Sequence, residues 1–177
     1  MKNILVLLLL VSSAQLLAQE KYKQSLILMG SRFDISVVAN SKEKGKEYIQ
    51  MAIDEISRIE RIISSWDSNS QTSLINRNAG LQPVKVDLEL FDLIERSVSI
   101  SKLTAGAFDI SYASMDAIWK FDGSMKTMPS EEVVNHSVAK VGFENIILDT
   151  TSLTVFLKLK GMKIGFGAIG KGYAADR

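Results

Sequence analysis

The sequence predicts an α+β protein in which mixed, largely antiparallel sheets pack against helices. Three observations carry that expectation. Phe33, Ile35 and Val37 alternate with Arg32, Asp34 and Ser36, a period of two that gives a strand one apolar face. Ile49, Ile53, Ile56, Ile59 and Ile63 recur at helical spacing, with Asp54, Glu55, Arg58 and Arg61 opposite. Strand and helix patterns alternate without the clean βαβ repetition of a doubly wound sheet, and no internal repeat is visible.

The elements follow in order. Lys2, the apolar run Ile4 to Val11 and the small residues before Ala18 form a secretory signal over residues 1–18, too short to span a bilayer. The mature chain is expected to begin near Gln19 and to work outside the cytoplasm; the competing reading is an uncleaved membrane anchor. Strands pair over residues 25–38, and Met29-Gly30 marks a bulge or a close approach to the backbone. A helix runs from Lys46 to Ser64, ends at Trp66 and gives way to the polar loop Asp67 to Ser70. A short helical turn over Thr72 to Asn78 closes at Gly80. Val84 and Val86 mark a small strand, and Asp87 caps a helix whose inner face is Leu90, Phe91, Ile94 and Val98.

A glycine-containing segment, Thr104 to Ile110, precedes an aromatic region around Trp119 and Phe121. Pro129-Ser130-Glu131-Glu132 opens a helix that Gly142 stops. Residues 146–148 and 153–159 read as a hairpin across Asp149-Thr150-Thr151. Met162 to Ile164 reads as a strand, Gly165 to Gly172 as a glycine-rich loop, and Tyr173 to Arg177 as the first turn of a helix. So short a helix is marginal without packing. Residues 19–177 are therefore expected to be the N-terminal part of a larger domain, poorly stable when expressed alone.

Composition narrows the chemistry. With 177 residues, 46% hydrophobic and 23% charged, the chain is neither disordered, collagenous nor a coiled coil. Its 21 basic and 20 acidic side chains leave a charge of +1, which offers no electrostatic footprint for nucleic acid. The absence of cysteine excludes disulfides, thiolate metal sites, thiol nucleophiles and a lipid-carrying cysteine. His136, the single histidine, sits among polar neighbours on a helix and reads as a surface residue. A histidine-based triad has only this one candidate base, in a poor context, and an ordinary zinc site is excluded, so any divalent metal would be a hard ion held by oxygen, Mg²⁺ or Ca²⁺.

Gly165-Phe166-Gly167-Ala168-Ile169-Gly170-Lys171-Gly172 is the densest motif. It fits the dinucleotide pattern G-x-G-x-x-G, but the acidic residue expected about 20 positions further on has no place in the chain. It also fits G-x-x-x-x-G-K, with Gly172 where Ser or Thr should follow. A tight turn joining strand to helix is the third reading. For Thr104 to Ile110 the residues themselves favour a turn with Asp109 as a capping acid.

These segments, in this order, resemble the ApbE-type FAD:protein FMN transferases. The resemblance rests on Met29-Gly30-Ser31, Ser64-Ser65-Trp66, Ser73-Leu74-Ile75-Asn76, the whole of Thr104 to Ile110, Ile118-Trp119-Lys120-Phe121 and Gly167 to Asp176. It implies an ApbE-like, T-fold-like α+β architecture and a periplasmic, Mg²⁺-dependent enzyme that takes FAD as substrate. Such an enzyme transfers FMN to a threonine or serine hydroxyl of a flavin-carrier protein of a membrane redox complex and releases AMP. An FAD pyrophosphatase and a non-catalytic flavin-binding module are the alternatives. By the same resemblance Met29, Trp66, Ala107, Phe108, Asp109 and Lys171 contact FAD, the Ala168 carbonyl is a Mg²⁺ ligand, and Ser31 and Asn76 line the nucleotide cleft. No catalytic side chain is assigned, because the carrier hydroxyl attacks. Gly165 departs from the family, many members of which have Asp there, and the other metal ligands have no counterpart before Arg177.

Overall fold

The computed structural model describes residues 19–177, so the signal expected at 1–18 lies outside the described residues. The chain divides into two compact units at the Ser57–Arg58 junction. Among the described residues no helix is long and apolar enough to cross a membrane.

The first unit is built on a hairpin. Strands β1 (Glu20–Leu28) and β2 (Ser31–Ala39) pair antiparallel in unbroken register, from Glu20 opposite Ala39 to Leu28 opposite Ser31. Only Met29 and Gly30 remain to join them. Both have positive φ, 48° and 68°, as a two-residue turn of the I′ kind requires to match the twist of the strands. Met29-Gly30 is thus a hairpin turn and not the expected bulge. Exposed Asp34 accepts hydrogen bonds from Ser25 and Lys23 and pairs with Arg32, and these partners, Ser25 first, lower its carboxyl to about 2. Helix α1 (Lys42–Ile63) follows, starting four residues earlier than its apolar period suggests, and the junction between units falls within it.

The second unit holds the larger core. The last turns of α1 bring in Ile59 and Ile63, and α2 (Gln71–Arg77) brings in Ile75. Helix α3 (Leu88–Leu103) buries Leu90, Phe91, Leu93, Ile94 and Val98, one face of a regular helix. A three-stranded antiparallel sheet lies in the order β3 (Val84–Lys85), β5 (Thr154–Leu157), β4 (Ile146–Asp149), and its central strand buries Val155 and Leu157. Burying each such side chain contributes about 1.5–3 kcal/mol. Helix α4 (Glu131–Val138) starts at Ser130, whose Oγ accepts the Val133 N–H; it ends at Ala139, and Gly142 instead opens the short 3₁₀ turn Phe143–Asn145. His136 is exposed, as its context suggested.

Side chains do capping work that periodicity could not show. Ser70 caps α2 by accepting the Ser73 N–H at 2.9 Å, and its hydroxyl donates to the Ser64 carbonyl. Thr72 donates to the Ile62 carbonyl at 3.0 Å, so the start of α2 satisfies carbonyls that the end of α1 leaves unpaired. Asp87 occupies the N-cap of α3 as expected, but its carboxylate makes no capping bond. It accepts instead from the Gln71 side chain, which also receives the Asp87 N–H at 2.8 Å.

Residues Met162 to Ile164 form no strand. The Met162 N–H donates to the Leu159 carbonyl, and the backbone of Lys163 and Ile164 pairs with side chains, not with a ladder. The chain turns against Lys160 at Gly80, which has φ +73° and whose N–H donates to the Leu157 carbonyl at 2.8 Å. A Cβ there would lie 2.7 Å from both the Cα and the N of Lys160. Gly80→Ala is therefore expected to cost about 2–4 kcal/mol, from a left-handed backbone plus overpacking against main chain. Urea denaturation measures it, and a loss below about 0.5 kcal/mol, the level of an ordinary surface change, would contradict this packing.

Candidate functional site

The site expected from the glycine-rich motif is built in the second unit from two segments that touch. The first begins where α3 stops. The Gly106 N–H donates to the Ser101 carbonyl at 2.8 Å and the Ala105 N–H to the Lys102 carbonyl at 3.2 Å, the two bonds of a Schellman ending. Ala105 takes the left-handed position, with φ 48°. Thr104 Oγ1 accepts the Phe108 N–H at 3.1 Å, which leaves Ala107 exposed and Phe108 half-buried.

Asp109 then caps the 3₁₀ helix Ile110–Ser114. Its Oδ1 accepts the Ser111 N–H and the Ser111 hydroxyl, both at 2.7 Å, and its Oδ2 accepts the Phe143 N–H at 2.8 Å. Ser111 Oγ in turn accepts the Gly142 N–H at 2.8 Å. The capping reading of Asp109 is what the structure shows, and the carboxylate also ties this turn to a loop more than thirty residues on.

The second segment is the glycine-rich loop. The Gly165 N–H donates to the Ile110 carbonyl at 2.9 Å, which joins the two segments directly. The Phe166 carbonyl accepts from Ile169 at 3.1 Å and Gly170 at 2.7 Å, and α5 (Gly170–Asp176) follows. A Cβ at Gly165 would stand 3.1 Å from the Ala113 Cβ, and one at Gly167 2.5 Å from the Tyr112 hydroxyl oxygen. The loop passes close to the 3₁₀ helix, so a side chain at Gly165 would press on Ala113 and one at Gly167 would displace the Tyr112 hydroxyl. Gly172, by contrast, faces open space, beside exposed Lys171 and Ala168. The dinucleotide and phosphate-loop readings both fail, because no strand precedes the loop and every described strand pair is antiparallel.

A charged cluster holds α5 in place. Glu89 on α3 receives both guanidinium nitrogens of Arg58, at 2.6 and 2.8 Å, and the Tyr173 hydroxyl at 2.8 Å. Arg58 foremost, with Tyr173, holds the Glu89 carboxyl down at about 2. The Tyr173 phenol is raised, by burial and then by donating to Glu89.

The remaining expected residues are placed as follows. Trp66 sits on the loop after α1, whose backbone Ser64 Oγ holds through the Trp66 and Asp67 N–H groups, and its ring is 95% exposed. Met29 lies in the first unit, half-buried at the hairpin turn. Asn76 is half-buried, with both ends of its amide bonded to the backbone of Ile164. Sequence reasoning missed Tyr112, Ser114, Arg58 and Glu89. Hydroxyls and ion pairs on amphipathic patterns look like solvated positions, and only the 49-residue and 31-residue separations of their partners reveal otherwise.

Among the described residues no three His, Asp or Glu side chains gather to hold a metal. The Ala168 carbonyl is one neutral oxygen, whereas Mg²⁺ demands near-octahedral oxygen coordination. The described residues therefore do not build a magnesium site. A groove of about 620 Å³ lies elsewhere, between α3 and β4, lined by Asp92, Glu95, Arg96, Lys102, Ile147 and Thr150 among others and by none of the expected site residues.

The antiparallel α+β core with its partly buried glycine-rich loop has the fold of the flavin transferases. It superposes on the ApbE protein of Thermotoga maritima with a TM-score of 0.77 at 28% identity, covering 89% of this chain and 51% of that one. It also superposes on the flavin transferase ApbE of Vibrio cholerae with a TM-score of 0.72 at 19% identity, covering 90% and 52%. The model of the ApbE family matches residues 29–177, and the chain belongs to that family. Among curated relatives, an FAD:protein FMN transferase of Klebsiella pneumoniae is 30% identical over 88% of this chain, and one of Buchnera aphidicola is 31% identical over 74%. The chain spans less than half the length of these two relatives, 48% and 39%.

Two outcomes test the geometry. Asp109→Asn places an amide NH₂ against N–H donors, so it should lower stability by about 1–3 kcal/mol in urea denaturation; an unchanged midpoint would remove the cap. Glu89 supplies a pH signature. A carboxyl lowered in the folded state stabilises above its unfolded value of about 4.3, and that contribution is lost as pH falls toward 2. The stability gap between the wild type and Glu89→Gln should therefore be full near pH 7 and shrink between about pH 5 and pH 2. Asp34 titrates equally in both proteins and cancels. A gap independent of pH would show that Glu89 is not held ionised.

Proposed function

We propose that the protein carrying this chain transfers FMN from FAD to a hydroxyl of a flavin-carrier protein and releases AMP. The observation that carries the reading is the contact between the Asp109–Ser114 turn and the Gly165–Lys171 loop, in a chain of the ApbE family. A flavin dinucleotide offers two parts to recognise, a diphosphate and flat rings. Open Gly172 and the exposed Lys171 ammonium suit the diphosphate, where a cation and unobstructed backbone offset its charge. Phe108 and Trp66 are flat apolar surfaces for the rings.

In the proposed step the oxygen of a carrier threonine or serine hydroxyl attacks the phosphorus of the FMN half. The bond from that phosphorus to the bridging oxygen breaks, AMP leaves with the oxygen, and the hydroxyl proton passes to solvent or a base. This chemistry asks for positioning and charge neutralisation more than for an enzyme nucleophile, in keeping with a chain that has no cysteine and a single exposed histidine. The reading includes Mg²⁺, with the Ala168 carbonyl as one ligand, and export across the inner membrane directed by residues 1–18. The carrier would be a subunit of a membrane redox complex.

The test is incubation of the full-length protein with FAD, Mg²⁺ and a flavin-carrier protein. Flavin fluorescence on the carrier after denaturing electrophoresis is the expected result, abolished by EDTA and restored by Mg²⁺ but poorly by Zn²⁺. Free FMN and AMP without labelled carrier would mark a pyrophosphatase, and unchanged FAD a binding module; either overturns the transferase reading. Full activity in chelator would remove the metal from it. Asp109→Ala should reduce FAD use about ten- to a hundredfold.

A further inference from the structure

The run Met162 to Phe166 enters the core, with Met162 and Ile164 fully buried, yet it belongs to no sheet. Buried N–H and C=O groups without partners are costly, so something must replace a neighbouring strand. Asn76, in the last turn of α2, does so on Ile164. Its Nδ2 donates to the Ile164 carbonyl at 3.0 Å and its Oδ1 accepts the Ile164 N–H at 2.8 Å. One amide thus makes both bonds that a paired residue exchanges across an antiparallel ladder. Ser114, at the end of the 3₁₀ helix, does the same on Lys163: its hydroxyl donates to the Lys163 carbonyl at 2.9 Å and accepts the Lys163 N–H at 2.8 Å. The next N–H, of Gly165, goes to Ile110.

Three consecutive residues are therefore bonded by side chains and backbone from α2 and from the 3₁₀ helix, elements far apart in the chain. The last of them, Gly165, and Gly167 two residues on lie close against Ala113 and Tyr112 of the 3₁₀ helix. We propose that Asn76 and Ser114 are positioning residues. They grip Lys163 and Ile164 so that the following loop, Gly165 to Lys171, presents its backbone and its ammonium in one fixed arrangement to the dinucleotide. Neither touches the substrate. Asn76 in particular is bonded at both ends of its amide and acts through Ile164, not as a lining of the cleft. What the loop holds rests on the flavin-transfer reading; that the two side chains hold the loop does not.

The experiment separates the two. In the full-length protein, amide hydrogen exchange is followed at Lys163, Ile164 and Gly165 in the wild type, Asn76→Ala, Asn76→Asp and Ser114→Ala, alongside kcat and KM for FAD. Exchange at Ile164 in Asn76→Ala and at Lys163 in Ser114→Ala is expected to rise about tenfold or more, the worth of one lost hydrogen bond. Exchange at Leu90 to Ile94 of α3 should stay at the wild-type rate. Asn76→Asp keeps the acceptor and loses only the donor, so its Ile164 amide should exchange more slowly than in Asn76→Ala. KM for FAD should rise about tenfold while kcat changes by less than about threefold, the split expected when ground-state and transition-state binding fall together. Unchanged exchange at 163–164, or faster exchange with KM unaltered, overturns the proposal. If Asn76→Ala does not fold, Ser114→Ala carries the same measurements. A wild type that neither binds nor uses FAD overturns the flavin reading, and the exchange rates still decide whether these side chains hold the loop.

Discussion

The second unit is organised by one requirement: main chain that enters the core must find partners for its N–H and C=O groups. The sheet satisfies β3, β4 and β5 among themselves. The glycine-rich loop approaches the core with no strand beside it, and its partners come from Asn76, Ser114 and Ile110. Other features follow from that substitution. Helix α2 must end where Asn76 can reach Ile164. The 3₁₀ helix must present Ser114 to Lys163 and its Ile110 carbonyl to Gly165. Asp109, by capping that helix and binding Phe143, fixes the orientation from which both reach.

Charge is used sparingly and for attachment. Two carboxylates, Asp34 and Glu89, are both lowered to about 2, for different purposes. Asp34 lies exposed on the hairpin among Ser25, Lys23 and Arg32, where solvent screening leaves such pairs worth little. Glu89 is three-quarters covered and takes a two-pronged guanidinium from α1 and a phenol from α5. A forked arginine on a carboxylate fixes direction as well as distance. It ties the helix that carries Lys171 to α1 and α3, the two longest helices among the described residues. The expected one-turn helix at the end of the chain is thus docked by a specific polar contact.

Much of the candidate site was legible, and the parts that were not share a cause. The glycine-rich loop, the Thr104 to Ile110 turn and the capping character of Asp109 all stand in local sequence, because turn chemistry is written in neighbouring residues. The closeness of Gly165 and Gly167 to the 3₁₀ helix was not, since what a side chain there would press on is Ala113 and Tyr112, some fifty residues earlier. Asn76 carried a motif, and the family resemblance put it at the nucleotide cleft; only the geometry showed both ends of its amide bonded to the Ile164 backbone.

The sequence by itself determined the class of fold, the long helices and their buried faces, the hairpin from Ile146 to Leu157 and the place of the glycine-rich loop. Each of these depends on periodicity or on residues within a few positions of one another, and such signals survive in a linear reading. Only the tertiary structure decided that Met29-Gly30 is a turn and not a bulge, that Asp87 bonds Gln71 instead of capping its helix, and that Met162 to Ile164 is no strand. A run of alternating apolar residues says that a segment is buried and extended. Whether its polar backbone is met by another strand or by an amide and a hydroxyl depends on which side chains the rest of the chain brings alongside, and that choice is made across separations of 49 and 88 residues.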